Sequence, residues 1–189
     1  AGFDIVGASL VPYAGDYFIQ LMNMILIVFG AIGFPVLIEV KKFLFRRPKD
    51  RRWKFSLFAK LTSLTFLILI FAGALLIFVL EYHHFFIGKS WHESLFYSLF
   101  QSVTTRNAGL ATMDMNDFSV PTLLVLSVLM FIGASPSSVG GGIRTTTFAV
   151  TVLFVYHFAR GHRQIRIFNR EIHQEDIIKS FLVTLMAIF

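Results

Sequence analysis

The chain alternates between long apolar stretches and shorter polar ones, which is the pattern of a protein that crosses a membrane more than once. Tyr17–Ile38 and Leu61–Leu80 contain no charged residue. Each has about 20 residues, the length that an α-helix needs to cross the hydrocarbon of a bilayer. Pro121–Phe158 is also apolar, but it is too long and too rich in glycine to be one regular helix. The pattern predicts an all-α membrane protein.

The composition supports a membrane protein. Hydrophobic residues make up 56% of the 189 residues, 23 residues are Phe, and there is no Cys. A soluble domain would carry more charge and fewer apolar runs, and the lack of Cys excludes disulfides and thiolate metal sites. Because the chain starts without Met and ends within the apolar run Ser180–Phe189, we expect an interior portion of a longer protein.

Basic residues are concentrated in the polar stretches Glu39–Lys60 and Ala159–Lys179, which hold 14 of the 17 Lys and Arg residues. Glu81–Val120 holds only two. The positive-inside rule places the basic stretches in the cytoplasm and Glu81–Val120 outside the cell. Since both basic stretches lie beside apolar spans, their charge indicates topology, and we expect no nucleic-acid binding.

The predicted outer side is acidic. Its acidic residues outnumber Lys89 and Arg106, and a negative outer mouth would concentrate cations. An ordinary solvated loop would explain each acid taken singly. The acids are Asp4, Asp16, Glu81, Glu93, Asp114 and Asp117.

Trp91–Thr104 is apolar enough to enter the membrane but too short to cross it. As a helix it would extend about 21 Å into a hydrocarbon layer of roughly 30 Å. Ser90 and Glu93 have the spacing of a capping box, which would fix the helix start near the outer surface. Because the chain must then return outward through Thr105–Gly109, we predict a re-entrant pore helix followed by a loop. The alternative is a surface helix that ends in an ordinary turn.

The loop Thr105–Gly109 would place non-helical backbone at membrane depth. Such backbone is stable only inside protein or along a water-filled cavity, because each unpaired peptide group costs several kcal/mol in lipid. Carbonyl oxygens along a cavity can bind a dehydrated cation, and the C-terminus of a helix adds about half a negative charge. Gly109 permits the backbone turn that this requires. The chain opens with a similar Ala-Gly pair, and the predicted ion ligands are the carbonyls of Ala1, Gly2, Thr105, Arg106, Asn107, Ala108 and Gly109.

The third apolar stretch is interrupted between Pro121–Ile132 and Ile143–Phe158. A helix would not tolerate this segment, since relative to Ala each Gly costs about 1 kcal/mol and Pro about 3 kcal/mol. Irregular backbone between half-helices must border a cavity. Its small residues suit a loop that obstructs a pore and can move aside. The predicted gate comprises Gly133, Ala134, Ser135, Pro136, Ser137, Ser138, Val139, Gly140, Gly141, Gly142 and Arg144.

Other interpretations of Gly133–Gly142 stay open. A phosphate-binding loop is disfavoured because no Lys-Ser or Lys-Thr follows at the required spacing. A simple helix kink is possible, and a substrate site between half-helices, as in secondary transporters, is the main rival. Arg144 is charged at membrane depth and therefore a functional candidate. It either binds carbonyls of the loop or extends to the membrane surface.

The elements recur as a unit of helix, re-entrant helix, loop ending in Ala-Gly, and helix. We expect the end of one repeat at 1–44, a basic linker at 45–60, a full repeat at 61–158, a second linker at 159–179 and the start of another repeat at 180–189. Within the full repeat we expect a helix at 61–80, the pore helix at 91–104, the filter at 105–109 and the broken helix at 121–158.

The segments "SVTTRNAGLAT" (102–112) and "LMFIGASPSSVGGGIRTTTF" (129–148) resemble the third repeat of the bacterial Ktr-type potassium uptake membrane subunit. That family belongs to the superfamily of Trk subunits and plant high-affinity potassium transporters. The resemblance covers the whole chain. It implies four repeated units around a pseudo-fourfold pore, with one glycine in each filter, here Gly2 and Gly109, and with Gly133–Gly142 as an intramembrane gate beneath the filter.

The resemblance also implies ions and partners. K⁺ would be the transported ion, with Na⁺ as a second candidate and no organic cofactor in this chain. The implied partners are the lipid bilayer of the bacterial plasma membrane, a second copy of the subunit in a homodimer, and a cytosolic ring of nucleotide-binding regulatory subunits.

We therefore expect potassium uptake through a pore-loop filter with a gating loop, and no enzymatic activity. A carrier that alternates access around the break at 133–142 is the rival from a different class. A structural membrane anchor for a cytosolic complex is the third hypothesis, and it predicts no ion flux.

Overall fold

The computed structural model describes residues 7, 9–45, 55–161, 166–167, 170–171 and 174–188, and this part of the chain is almost wholly helical. Short 3-10 turns occupy Val11–Tyr13 and Met115–Asp117, and the strands β1 (Arg166–Ile167) and β2 (Arg170–Glu171) form a small antiparallel ribbon. The all-α class is confirmed. The helices are α1 (Tyr17–Ala31), α2 (Phe34–Leu44), α3 (Leu57–Glu81), α4 (Trp91–Thr104), α5 (Val120–Phe131), α6 (Thr145–Ala159) and α7 (Gln174–Ile188).

Helix α3 is the centre of the packing, with contacts to α2, α4, α5 and α6. Gly73 of α3 permits the closest approach. A Cβ there would lie 2.6 Å from Oγ of Ser102 on α4 and 2.8 Å from Cδ1 of Leu129 on α5. Ser102 also donates a hydrogen bond to the carbonyl of Ile70 at 2.7 Å. A side chain at position 73 would therefore push α4 and α5 away from α3.

Within the described residues, α3 alone is long enough and apolar enough to cross a bilayer unaided. α1 and α2 pass the same test only as a pair, and α5 and α6 are apolar but shorter. Length and composition therefore give one span, or two if the bent pair counts. A larger number of crossings remains a prediction from the sequence.

The expectation of one uninterrupted helix through Tyr17–Ile38 is wrong. The chain bends by 106° between α1 and α2, where Gly33 has φ +91°. Pro35, in the first turn of α2, has no N–H to donate to the carbonyl of Ala31. Its ring would also collide with that carbonyl in a continuous helix. The apolar pattern reports length and hydrophobicity, and neither property reveals a bend.

Helix α4 lies where the sequence predicts a re-entrant helix, from Trp91 to Thr104. Its start is capped by Ser90, whose Oγ accepts a hydrogen bond from the N–H of Glu93 at 3.5 Å. Its C-terminal turn, residues 100–104, is entirely buried. The helix therefore enters the protein with its C-terminus innermost, and the alternative of a surface helix does not fit.

Acidic side chains of the predicted outer mouth bind the protein's own backbone. Glu81, at the end of α3, is fully buried and accepts hydrogen bonds from Ser119 N–H at 2.9 Å, Ser119 Oγ at 2.7 Å and Phe85 N–H at 3.3 Å. Asp16 and Asp114 cap the starts of α1 and of the second 3-10 turn. Glu81, one of the acids counted for the predicted outer side, therefore adds no exposed charge there, because its buried carboxylate joins the end of α3 to the start of α5.

Glu81→Gln tests this connection between α3 and α5. The amide keeps the shape of the carboxylate but has no charge and only one accepting oxygen. We expect the unfolding free energy of the purified complete protein to fall by about 2 kcal/mol, since hydrogen bonds to charged groups contribute about 1.5–3 kcal/mol. The measurement is thermal unfolding in detergent. Asp117→Asn, which changes an exposed acid nearby, is the control. An unchanged Tm for Glu81→Gln would contradict the assignment.

Candidate functional site

The chain leaves α4 through a tight turn, residues 105–109, hereafter loop 105–109. The carbonyl of Thr104 accepts hydrogen bonds from the N–H groups of Ala108 and Gly109, at 3.1 and 3.2 Å. Oγ1 of Thr104 donates to the carbonyl of Leu110 at 2.7 Å. Gly109 has φ +70°, in the left-handed region that favours glycine. Thr104 thus fixes both ends of the loop, and Gly109 sets the direction in which the chain leaves it.

The carbonyl oxygens of loop 105–109 differ from those beside it. The carbonyls of Thr104 and Leu110 accept hydrogen bonds, whereas those of residues 105–109 accept none from any described residue. Thr105, Arg106 and Ala108 are nevertheless buried. Main-chain carbonyls inside a protein are almost always paired with a polar partner, so these oxygens are available to bind water or a cation.

Arg106 has a buried guanidinium that the sequence analysis overlooked, because it assigned only the main chain of this residue. Arg106 is 1% exposed. Nη1 donates to the carbonyl of Ile132 at 3.0 Å, and Nη2 donates to the carbonyl of Leu129 at 2.9 Å and to Oγ1 of Thr105 at 3.1 Å. The available signal was an arginine at membrane depth close to a helix end with unpaired carbonyls.

Residues 133–142, hereafter loop 133–142, connect α5 to α6 and are closed at the base by main-chain hydrogen bonds. The N–H of Ala134 donates to the carbonyl of Gly141 at 3.2 Å, and the N–H of Ile143 donates to the carbonyl of Phe131 at 3.0 Å. A Cβ on Gly133 would overlap the carbonyl oxygen of Gly141. Glycine is therefore required at position 133, where the two sides of the loop come together.

Side chains complete the interior of loop 133–142. Nη1 of Arg144 donates to the carbonyl of Gly140 at 2.5 Å. Oγ of Ser138 donates to the carbonyl of Ser135 at 2.6 Å, and Oγ1 of Thr145 donates to Oγ of Ser135 at 3.1 Å. Of the arrangements considered for Arg144, the structure has the one in which the guanidinium binds a loop carbonyl.

The predicted filter and the predicted gate are in direct contact. A Cβ on Gly140 would lie 2.9 Å from Cβ of Asn107 and 3.2 Å from the carbonyl oxygen of Arg106. A Cβ on Gly30 of α1 would lie 3.6 Å from both Nδ2 of Asn107 and Cγ2 of Val139. Three elements thus meet at this point, and glycines allow them to approach.

The bend between α1 and α2 supports loop 133–142. The N–H of Ser135 donates to the carbonyl of Ala31 at 3.0 Å, and the N–H of Phe34 donates to the carbonyl of Ser137 at 3.1 Å. In a continuous helix the N–H of Phe34 would donate to the carbonyl of Gly30, whereas the carbonyl of Ala31 would lack a donor because Pro35 has no N–H. At the bend both groups are available, and loop 133–142 pairs with both.

The sequence analysis missed the bend as part of the site. A signal was present, because an Ile-Gly pair precedes a proline at both breaks, with Gly33 two residues before Pro35 and Gly133 three residues before Pro136. In both places the glycine and the proline mark a helix break.

The other predicted ligands, Ala1 and Gly2, lie outside the described residues. In the described part of the chain, no group of three or more His, Asp or Glu could hold a metal ion.

These features define a class of protein, namely α-helical proteins with a membrane-length apolar helix, in which a short buried helix ends at a turn that contacts a loop within a broken helix. The TrkH family, described as "Cation transport protein", matches residues 1–189, and the chain belongs to this family. The family resemblance noted in the sequence is confirmed.

Individual relatives give the same result. The chain is 58% identical, over 99% of its length, to the Ktr system potassium uptake protein D of Bacillus subtilis (strain 168), and 36% identical over its whole length to protein B of the same organism. It spans 41% and 42% of those proteins, respectively. Both relatives are named as potassium uptake proteins, which are transporters and not enzymes.

A solved structure shows the same fold. The crystal structure of the potassium transporter TrkH from Vibrio parahaemolyticus matches 98% of the chain with a TM-score of 0.73 and 18% identity. The match covers 39% of that transporter. At this identity the likeness concerns the fold alone.

Gly33→Ala tests the docking of the bend on loop 133–142. A Cβ at this position would overlap the carbonyl oxygen of Pro136, and φ is +91°. We expect a loss of about 3 kcal/mol of unfolding free energy, since the positive φ alone costs about 1–2 kcal/mol. The measurement is thermal unfolding of the purified complete protein.

Gly88→Ala is the matched control for Gly33→Ala. Gly88 also has positive φ, +80°, but a Cβ there would meet nothing within 4 Å. It should therefore show only the conformational part of the loss. Equal losses in the two variants would mean that the contact between Gly33 and Pro136 contributes nothing.

Proposed function

We propose that the chain forms part of the permeation pathway of a Ktr-type potassium uptake subunit. The carbonyls of loop 105–109 replace the hydration shell of the ion, as in other carbonyl-lined filters. The proposal rests on one observation, which is that the carbonyl oxygens of loop 105–109 accept no hydrogen bond from any described residue although most of the loop is buried. The printed names of the Bacillus subtilis relatives, both potassium uptake proteins of the Ktr system, support K⁺ as the ion.

Helix α4 supplies favourable electrostatics for a cation. Its C-terminal turn is buried and ends at loop 105–109. The dipole of a helix places about half a negative charge at its C-terminus. In a buried setting that charge is weakly screened, so it attracts a partly dehydrated cation and repels anions.

Loop 133–142 acts as the gate of this pathway. It lies against loop 105–109 through Gly140, and Arg144 holds the carbonyl of that same glycine. The bend between α1 and α2 supports it from another side. Opening moves the tip of the loop away from Asn107 after the bond from Arg144 breaks.

The complete pore requires further repeats, because the chain spans about two fifths of the Bacillus subtilis relatives. Ala1 and Gly2 form the end of a neighbouring filter. The complete subunit is a multi-pass protein of the bacterial plasma membrane. It works as a homodimer on a cytosolic ring of nucleotide-binding regulatory subunits, and Na⁺ is a second candidate for the transported or stimulating ion.

A carrier that alternates access around loop 133–142 is the second candidate function. The observation that favours it is the pairing of two helix breaks, through the hydrogen bonds from Ser135 to Ala31 and from Phe34 to Ser137. Broken helices of this kind form the substrate sites of secondary transporters. Single-channel recording distinguishes the two, since unitary currents exceed the turnover of a carrier.

Gly109→Asp tests the filter. Flux is measured in a complete subunit in which this chain replaces the matching 41% of the Bacillus subtilis protein D. Asp at a position with φ +70° strains the turn and adds a charged side chain beside the carbonyl row. We expect uptake with a preference for K⁺ over Na⁺ to be lost. Gly88→Asp, at another positive φ, should keep it. An unchanged preference in Gly109→Asp would remove the filter assignment.

Deletion of residues 137–142 tests the gate in the same complete subunit. The deletion removes the tip of the loop and the carbonyl that Arg144 binds. We expect a higher K⁺ flux per molecule, with surface abundance measured for each variant. Arg144→Gln should act in the same direction but more weakly, because it removes only the hydrogen bond. Unaltered or reduced flux per molecule in both variants would exclude a gating role.

A further inference from the structure

We propose that Arg106 links the filter to the gate. Its peptide group belongs to loop 105–109, while its guanidinium binds the end of α5, at the residues from which loop 133–142 begins. The inference rests on the function proposed above and adds a residue that transmits position between the two loops. Arg106 is a positioning residue in this scheme, since its side chain acts on α5 and not on the ion.

The end of α5 supplies the acceptors that Arg106 uses. The helix ends at Phe131, so no N–H of a following turn reaches the carbonyl of Ile132, and Pro136, four residues later, has no N–H with which a helix could continue. Nη1 of Arg106 occupies this vacant position at 3.0 Å. The carbonyl of Leu129 has also lost its helical partner at the end of α5, and it accepts from Nη2 at 2.9 Å.

The preceding repeat solves the same problem in another way. There the carbonyl of Ala31, four residues before Pro35, accepts a main-chain hydrogen bond from Ser135 at 3.0 Å. At the break after α5, a charged side chain from loop 105–109 takes that place. At Ala31 a main-chain N–H donates the hydrogen bond, whereas at Ile132 the donor is the side chain of Arg106, a residue of the predicted filter.

The charge of Arg106 depends on this contact. The residue is 1% exposed, and no carboxylate of the described residues forms an ion pair with it. Its positive charge is balanced by the C-terminus of α5, where the helix dipole is negative. A buried guanidinium without such partners is strongly unfavourable, so the side chain and the end of α5 must stay together.

The geometry of a guanidinium makes the link stiff. Its planar fork reaches two carbonyls at once and so fixes both distance and orientation. Nη2 is also bound to Oγ1 of Thr105, which donates to the carbonyl of Ser102 on α4 at 2.7 Å. A displacement of Ile132 when the gate moves is therefore passed to the filter peptides at 105 and 106.

Arg106→Gln and Arg106→Lys, compared in the complete subunit described above, separate geometry from charge. Gln removes the charge and the fork. Lys keeps the charge but has a single nitrogen, which cannot hold the carbonyls of Leu129 and Ile132 in the same geometry. Ser102→Ala is the matched control, because it removes a buried hydrogen bond beside the filter that is made to α3 and not to α5.

The experiment has two readouts. The first is the preference for K⁺ over Na⁺. The second is the rate at which a maleimide labels the thiol introduced by Val139→Cys at the exposed tip of loop 133–142, in a chain that has no Cys of its own. The second readout reports the position of the loop and needs no ion flux.

We expect both Arg106 variants to lower the ion preference about tenfold and to raise the labelling rate about tenfold, the factor that corresponds to 1.4 kcal/mol. Ser102→Ala should leave both within about twofold. If Arg106→Lys behaves as the unmodified protein, or if labelling does not change in either variant, the link is refuted. If the unmodified subunit carries no K⁺ flux, the proposed function fails, and the labelling rates still decide whether Arg106 holds the loop.

Discussion

The structure depends on one constraint, which is that peptide groups outside regular helices need hydrogen-bond partners inside an apolar protein. The chain breaks a helix after Ala31 and again after Phe131. Each break exposes carbonyls and N–H groups that neither lipid nor an apolar core can satisfy. The breaks are placed against each other, so that the N–H of Ser135 donates to the carbonyl of Ala31 and the N–H of Phe34 donates to the carbonyl of Ser137. Two features that would each be unstable alone therefore stabilise one another.

Much of this fold could be predicted because the ends of several helices are set by residues that are neighbours in the sequence. The extent of α4 follows from the cap at Ser90 and the apolar run after it, and the break after α5 follows from its glycines. The hydropathy pattern did not predict the bend at Gly33, because it shows which residues are apolar and not the direction in which the helix axis runs. The role of the Arg106 side chain could not be found from its neighbours in sequence, since its acceptors lie more than 20 positions away on α5. Contacts of that kind exist only after the chain has folded.

Helix α3 is fixed at both ends by the same device. At one end, Glu39 of α2 accepts hydrogen bonds from N–H and Oγ of Ser56, the residue that caps the start of α3. At the other end, Glu81 of α3 accepts from N–H and Oγ of Ser119, which precedes α5. In both cases a carboxylate accepts two hydrogen bonds from the serine that precedes a helix. These bonds connect α2 to α3 and α3 to α5. The central helix is thus held against sliding while loops pack around its middle.

The hydrogen bonds at the base of loop 133–142 have a consequence for the size of any motion there. Ala134 is joined to Gly141, and Ile143 to Phe131, so the two sides of the loop cannot separate while those bonds last. The apex is held as well, since the carbonyl of Ser137 accepts from the N–H of Phe34 and that of Gly140 accepts from Arg144. Val139, with its exposed side chain between these two anchors, is the position at which the loop can rearrange at the lowest cost in hydrogen bonds.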